Sequence, residues 1–323
     1  MEWFLRLVIE ACRAFLRLLA TNRSRVPWYE KFMRAIVLVP VFGAMLVLLR
    51  LRSVWRGPLE VKATTCYGAQ FRCLLPDFIQ TYLYLFGVWE PDMTDFIAGR
   101  LQDGDTFVDV GANIGYHTLL AATQLKGNGR VVAIESSPKI YHLLQESLTE
   151  NELNSSVRTV NQAAAEAVGT LQLYSGPDKN IGLSTTVSGR GLPSEGEIPA
   201  APLADLLQPV EIETARLVKI DVEGAEVAVL RGMNQFLDNC PSEVEILVEL
   251  SPAWWTDRSL TPQDILQPLI DAGFHVYEIT NNLWPWRYLW PAEVTRPRRV
   301  RSRLDKRVKR LDLVLSRVDT DWL

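Results

Sequence analysis

The sequence predicts a Rossmann-like α/β fold: a mostly parallel sheet with helices on both faces, preceded by an N-terminal helical appendage. Three observations predict it. Strand and helix patterns alternate from residue 106 onward, a glycine-bearing turn joins the first of these strands to a helix, and residues 1–52 combine an amphipathic helical stretch with an apolar run. With 323 residues, 48% of them hydrophobic, the chain has ample material for one large domain and an appendage. We place the division at residues 1–60 and 61–323.

Arg6, Glu10, Arg13 and Arg17 fall on one stripe of a helix whose remaining surface is apolar. Ala35 to Leu49 is then an uninterrupted apolar run, bounded by Arg34 and Arg50 and containing Pro40 and Gly43. It is shorter than the roughly 20 residues of a spanning helix, and it begins too far from Met1 for a signal peptide. Residues 1–52 are therefore expected either to associate with a membrane by lying in or shallowly entering the interface, or to pack as a helical pair on protein.

Val61 to Leu75 reads as a hairpin around Tyr67-Gly68-Ala69, and residues 78–101 as helix broken near Gly87 and Pro91. Strands follow at Thr106–Val110, Arg130–Glu135, Val157–Val160, Leu171–Tyr174, Arg216–Asp221, Glu245–Leu250, His275–Ile279 and Leu311–Ser316. Helices follow at Tyr116–Leu125 and at Pro138–Asn151, the latter opened by Pro138 behind Ser136 and Ser137. Residues 176–202, rich in Gly, Ser and Pro, read as a long loop.

The formal net charge of -4 is unevenly spread. Residues 1–60 carry ten Lys/Arg against four Asp/Glu, residues 287–323 eleven against five, and the middle 13 against 29. An acidic body would repel nucleic acid, so no nucleic-acid partner is expected, whereas basic ends suit an anionic membrane surface. Cys12, Cys66, Cys73 and Cys240 form no CxxC pair and lack histidines at ligand spacing, which predicts reduced thiols in a cytoplasmic setting and no zinc.

The central signal is Asp109-Val110-Gly111-Ala112-Asn113-Ile114-Gly115, where a buried strand turns into a helix. Gly111 and Gly115 would let the backbone approach a ligand, Asn113 tolerates a left-handed backbone, and the next strand ends in Glu135, a carboxylate able to accept both ribose hydroxyls of an adenosine. A nicotinamide-binding loop needs G-x-G-x-x-G to admit a pyrophosphate. Here the spacing is G-x-x-x-G behind an aspartate, which sits badly beside phosphates and well beside a sulfonium, so S-adenosylmethionine is the expected cofactor.

A second strand-turn-helix block runs from Lys219 through Ile220, Asp221, Val222, Glu223, Gly224 and Ala225 to Glu226. Asp221 should point into the crevice at the carboxyl ends of the strands, while Glu226 is expected to satisfy backbone N–H groups at the helix start. Asp221 and Glu249, ending adjacent predicted strands, are the candidates for removing a proton from an alcohol acceptor. His117 lies one turn into the first helix and reads as packing, as do His142 and His275. Asp221, Glu223 and Glu249 would also suit a hard divalent cation, an alternative that activity surviving chelation would remove; no metal is expected.

These blocks, with Gly87-Val88-Trp89-Glu90-Pro91, Tyr116 and Val248-Glu249-Leu250-Ser251-Pro252, resemble the FkbM family of methyltransferases over roughly residues 60–317. The resemblance implies a seven-stranded class I methyltransferase fold, S-adenosylmethionine as donor, and O-methylation of a hydroxyl on a sugar, glycan, polyketide or other small metabolite. Carried over by position, Asp109, Gly111, Asn113, Gly115 and Glu135 would hold the cofactor, and Glu90 would reach its amino-acid end. Ala204-Asp205-Leu206 departs from the family's Thr-Leu-Asp, so no role is carried to that segment.

Trp284, Trp286, Tyr288 and Trp290 precede nine Lys/Arg between Arg296 and Arg310, a combination that suits a membrane interface or an ordinary solvated loop. A lipid-linked glycan would reconcile a membrane-facing appendage with a methyltransferase at the inner face of the cell membrane. The rival expectation is a catalytically silent, membrane-tethered binding module on the same fold.

Overall fold

Helix α1 (Glu2–Leu19) buries Ile9 and Leu16, while α2 (Trp28–Arg56) buries Leu38, Phe42, Met45 and Leu49. Steps of four, three and four put the α2 residues on one stripe, and the two helices pack together. The computed structural model describes residues 2–19, 27–177, 180–289, 293–304 and 308–323. Trp290, Lys306 and Arg307 of the aromatic and basic cluster lie outside them.

Helix α2 runs unbroken through Pro40 and well past the apolar run at both ends. The expectation that this segment is too short to span is therefore corrected: Phe32–Arg56, 25 residues, is long and apolar enough to cross a membrane. Strands β1 (Leu59–Thr64) and β2 (Gln70–Leu75) form the expected hairpin, and α3 (Phe78–Phe86) follows, capped by the Asp77 side chain accepting from the Gln80 N–H. Tyr84 donates its hydroxyl to Glu10 at 2.7 Å, and Arg17 donates to the Leu85 carbonyl at 2.8 Å, tying α1 to α3. These elements belong to one compact unit, residues 1–91 with 281–294; residues 92–280 with 295–323 form the other. The compositional boundary near residue 60 is the join between α2 and β1.

The second unit opens with α4 (Pro91–Arg100) and then alternates. It runs β3 (Thr106–Val110), α5 (Tyr116–Leu125), β4 (Arg130–Ile134), α6 (Pro138–Glu150) and β5 (Val157–Val160), as expected. After β6 (Ala163–Ala164) and β7 (Gly169–Tyr174), the segment read as loop yields a strand, β8 (Ser194–Ala201). It pairs antiparallel with β7 and parallel with β6 in a small separate sheet. Its Gly196 and Pro199 hid a strand that is largely solvent-facing on one side, so no apolar alternation announced it.

Short helices α7 (Leu203–Leu206) and α8 (Pro209–Glu213) lead to β9 (Ala215–Ile220), α9 (Glu226–Arg231), α10 (Asn234–Asn239) and β10 (Glu245–Leu250). Helix α11 (Pro262–Asp271), β11 (His275–Glu278), β12 (Arg298–Arg299) and β13 (Leu311–Ser316) complete the unit. The main sheet has the order β12-β11-β13-β10-β9-β3-β4-β5. Strands β10, β9, β3, β4 and β5 are parallel, and β13 inserts antiparallel between β10 and β11. This is the mostly parallel, seven-stranded sheet that the resemblance implies, with the two-residue β12 added at its edge.

The strand period of two decides what each face carries. Val108, Val110, Val218 and Ile220 enter a core completed by Val229, Phe236 and Leu266 of α9, α10 and α11. Asp109 and Lys219 alternate with those residues, so they lie on the other face, directly opposite each other in the β3–β9 register. Chain order reverses between β3 and β9, which puts the crevice at the carboxyl ends of these two strands.

Candidate active site

The turn after β3 is left-handed at Gly111 (φ 82°), Asn113 (φ 53°) and Gly115 (φ 93°). The N–H groups of Gly111 and Ala112 both donate to the Ile134 carbonyl, at 2.9 and 3.0 Å, which folds the turn over the end of β4. One residue on, the Asn113 N–H donates to Glu135 Oε2 at 2.9 Å, while Glu135 Oε1 accepts the Ser137 N–H at 2.8 Å. The loop and the distal acid are thus directly bonded. Burial pushes the Glu135 carboxyl up to about 7 against the lowering effect of those two N–H groups.

Packing within the protein gives the glycines a reason of its own. A Cβ on Gly111 would run into the backbone carbonyl of Asp221, and one on Gly115 would meet Leu144 at 2.6 Å and Leu119 at 3.0 Å. These glycines let two strand ends and a helix close on each other.

Asp109 is buried, accepts the Thr118 hydroxyl at 2.7 Å and lies 3.7 Å from Lys219 Nζ. Lys219 Nζ also donates to Asp221 Oδ2 at 3.1 Å. The cation that neutralises Asp109 is therefore the chain's own lysine, where the sequence argument looked to a sulfonium. Burial raises the Asp109 carboxyl, offset by Lys219 and Thr118. Burial and the Lys219 charge hold His117 well below its ordinary range, so its imidazole is neutral. Asp221 keeps about a quarter of its side chain exposed (24%), whereas Lys219 and Asp109 keep almost none.

Glu249 ends β10 beside Asp221, as expected, but Arg310 holds its Oε2 at 2.8 Å and also pairs with Asp312. Burial, then the Asp221 charge, push the Glu249 carboxyl well above the carboxylate range despite Arg310. Glu226 accepts the Gly224 N–H at 2.7 Å and the Trp255 indole N–H at 3.1 Å, the structural task expected of it, and burial lifts it to about 7.

The methyltransferase FkbM domain matches residues 109–276, from the first carboxylate of the turn to β11. The chain belongs to the FkbM methyltransferase family. Methyltransferase sdnD of Sordaria araneosa is 27% identical to it over 215 residues, 58% of this chain and 79% of that protein. The hexuronic acid methyltransferase AglP of Haloferax volcanii is 25% identical over 227 residues, 67% of this chain and 82% of its own. An O-methyltransferase from Bacillus cereus, solved in complex with S-adenosylhomocysteine, is 13% identical with a TM-score of 0.39, covering 71% of this chain and 81% of that one.

S-adenosylmethionine is the methyl donor of this FkbM enzyme, and the residues present suit it. Each Glu135 oxygen takes one backbone N–H, which leaves an acceptor position on each for a ribose diol. Asp221 places a partly exposed carboxylate at the next strand end. Glu90 belongs to the other compact unit and is described there: it has φ 46°, is buried, accepts from Asn281 Nδ2 at 2.7 Å, and its N–H donates to the Tyr288 hydroxyl.

Lys219, Thr118 and Arg310 carry tasks in the site that the sequence alone does not assign. Lys219 had a usable signal, since two residues before Asp221 on a strand is the same face, level with Asp109. Arg310 had none, because its partner lies 61 positions away on another strand. His142 is exposed and pairs with Glu146 at 3.3 Å, and His275 contacts Arg299 at 2.7 Å. Arg299 and Arg301 pair with Asp319 and Asp321, so part of the basic cluster is answered locally.

Proposed function

We propose that this enzyme O-methylates a hydroxyl on a sugar, glycan or comparable small metabolite, with Asp221 as the base. The observation that carries this reading is the partly exposed Asp221 carboxylate at the β9 end, next to the Gly111 turn, which is itself bonded to Glu135 through Asn113. When bound, S-adenosylmethionine supplies an electrophilic methyl group on a sulfonium. Glu135 would hold the ribose and the turn from Asp109 to Gly115 the rest of the nucleoside, and Asp221 would accept the hydroxyl proton as the acceptor oxygen takes the methyl group and the sulfur departs as a neutral thioether. Lys219 donates to Asp221 Oδ2 and so aims that carboxylate. Glu249, paired with Arg310, supports the charge balance rather than taking the proton first.

The relative named for hexuronic acid supports a sugar acceptor, and the acidic middle of the chain speaks against nucleic acid. Incubating the enzyme with methyl-labelled donor and a cell extract, then identifying the product, tests the reading: label on an oxygen of a small metabolite or glycan is expected. Label on nitrogen, carbon or nucleic acid contradicts it. Failure to bind the donor at all would revive the silent binding module.

We further propose that α2 enters a membrane, with the catalytic unit on its cytoplasmic side. One stripe of α2 is covered by protein, yet Ile36, Val37, Val47, Leu51, Val54 and Trp55 on its other faces are exposed. Leaving that much apolar surface in water is costly, at about 25 cal/mol per Å². Phe32–Arg56 is about 38 Å long as a helix, against a hydrocarbon core of about 30 Å, and Arg50, Arg52 and Arg56 at one end suit the headgroups. The full-length protein should float with liposomes, and Val47→Lys with Leu51→Lys should abolish flotation. A protein that stays soluble without detergent and ignores liposomes has no such anchor.

A further inference from the structure

We propose that Arg190, seated on Trp254, binds a carboxylate of the methyl acceptor, so that the acceptor is a polyhydroxylated acid of the uronic type. The inference rests on the methyltransferase reading above and deepens it.

The segment between β7 and β8 is clipped to the turn that follows β9. Thr185 exchanges both backbone hydrogen bonds with Tyr174, at 2.9 and 3.0 Å, and its hydroxyl donates to the Glu223 carbonyl at 2.9 Å. Arg190 Nη1 donates to the same carbonyl at 3.0 Å. Its guanidinium carbon stands 3.7 Å from the centre of the Trp254 ring, a cation–π contact that holds the cation over the indole. Asp221 begins this turn and Glu223 lies in it.

Stacking and one hydrogen bond orient Arg190 without neutralising it. Among the described residues no carboxylate oxygen lies within 4.0 Å of its nitrogens, whereas Arg158 and Arg310 have acidic partners at 2.6 and 2.8 Å. Burial lowers its affinity for a proton, and the Glu223 and Glu226 charges restore part of it. A planar guanidinium held in this way, with N–H groups to spare, matches the two oxygens of a carboxylate. Beside it, Glu223 Oε2 is buried and has no hydrogen-bond partner among the described residues. That atom offers a hydroxyl-bearing ligand a partner next to its carboxylate. With Asp221, Glu223 and Glu226 close by, a monoanion is tolerated where a phosphate dianion would be repelled.

The test is calorimetry on the full-length protein saturated with S-adenosylhomocysteine, titrated with methyl glucuronide, methyl glucoside and glucose 6-phosphate. The glucuronide should bind at least about tenfold more tightly than the other two, the loss expected of one charge-assisted bidentate contact. Arg190→Gln should bring it to the glucoside level, and Arg190→Lys, which keeps the charge without the fork, should fall between. Both variants should hold S-adenosylhomocysteine within about twofold of wild type. Thr185→Val removes the other bond to the Glu223 carbonyl and should keep the preference, which separates recognition from clipping the loop. No preference for the glucuronide, binding of none of the three, tighter binding of the phosphate, or a preference that survives in Arg190→Gln each overturns the proposal. Failure of S-adenosylhomocysteine itself to bind instead sinks the methyltransferase reading beneath it.

Discussion

The backbone N–H of Asn113 donates to Glu135 Oε2 at 2.9 Å, so the turn after the first strand is fastened to the acid that ends the second. A carboxylate raised to about 7 by burial is only part ionised at neutral pH, and ribose hydroxyls favour the ionised form. Donor affinity should therefore fall as pH drops below about 7, by roughly tenfold one unit below that point. Titrations at pH 6 and pH 8 check it, and equal affinities would remove Glu135 from the ribose site.

The same burial sets how stability depends on pH. Glu135 and Glu226 both sit near 7 in the folded chain against 4.5 ordinarily, so between those values the native state binds more protons than the unfolded one. Stability should fall as pH rises through this window, by up to about 3 kcal/mol for each group, and Asp109, Glu223 and Glu249 shift in the same direction. Thermal melts of the donor-free protein between pH 5 and 8 should show the decline. Glu226→Gln should flatten it, although the variant gives up the Trp255 bond.

Gly111→Ala combines a left-handed backbone with a Cβ driven into the Asp221 carbonyl, a rigid neighbour. A loss of about 3 kcal/mol or more is expected in denaturant unfolding. Gly115→Ala meets leucine side chains that can turn aside, and should cost less. Equal, small losses at both positions would show that the strand ends are not in contact as described.

Lys219→Met leaves the Asp109 and Asp221 carboxylates without their shared cation. Removing one partner from a buried charge cluster costs about 3–5 kcal/mol. Urea unfolding should show a loss in that range for Lys219→Met, and a change within about 0.5 kcal/mol would mean that Lys219 carries no such role.

Most of the main sheet was legible in the sequence, and the reason is its burial. Runs such as Thr106–Val110 and Glu245–Leu250 are enclosed on both faces, so apolar residues fall on both sides of the strand and mark it in the sequence. Strand β8 was not legible because it is half exposed and carries Gly196 and Pro199. The long α2 was misjudged for a related reason: its ends mix charged with apolar residues, and only tertiary packing on α1 shows how far the helix continues. In the site, the carboxylates announced themselves by their place at strand ends. Of the cations, Lys219 could have been found two residues before Asp221 on the same strand face, whereas Arg310, paired with Glu249 across the sheet, and Arg190, held on Trp254 and the Glu223 carbonyl, are placed by strand register and loop docking that local spacing does not show.

The central claim is that the turn from Asp109 to Gly115 and Glu135 hold the methyl donor while Asp221 serves the acceptor. Paired calorimetry and turnover measurements on two variants address it most directly. Glu135→Ala should weaken S-adenosylmethionine binding by roughly 10- to 100-fold, whereas Asp221→Asn should bind it as wild type does and lose about 100-fold or more in turnover. Unchanged donor affinity in Glu135→Ala, or near-normal turnover in Asp221→Asn, would contradict the account.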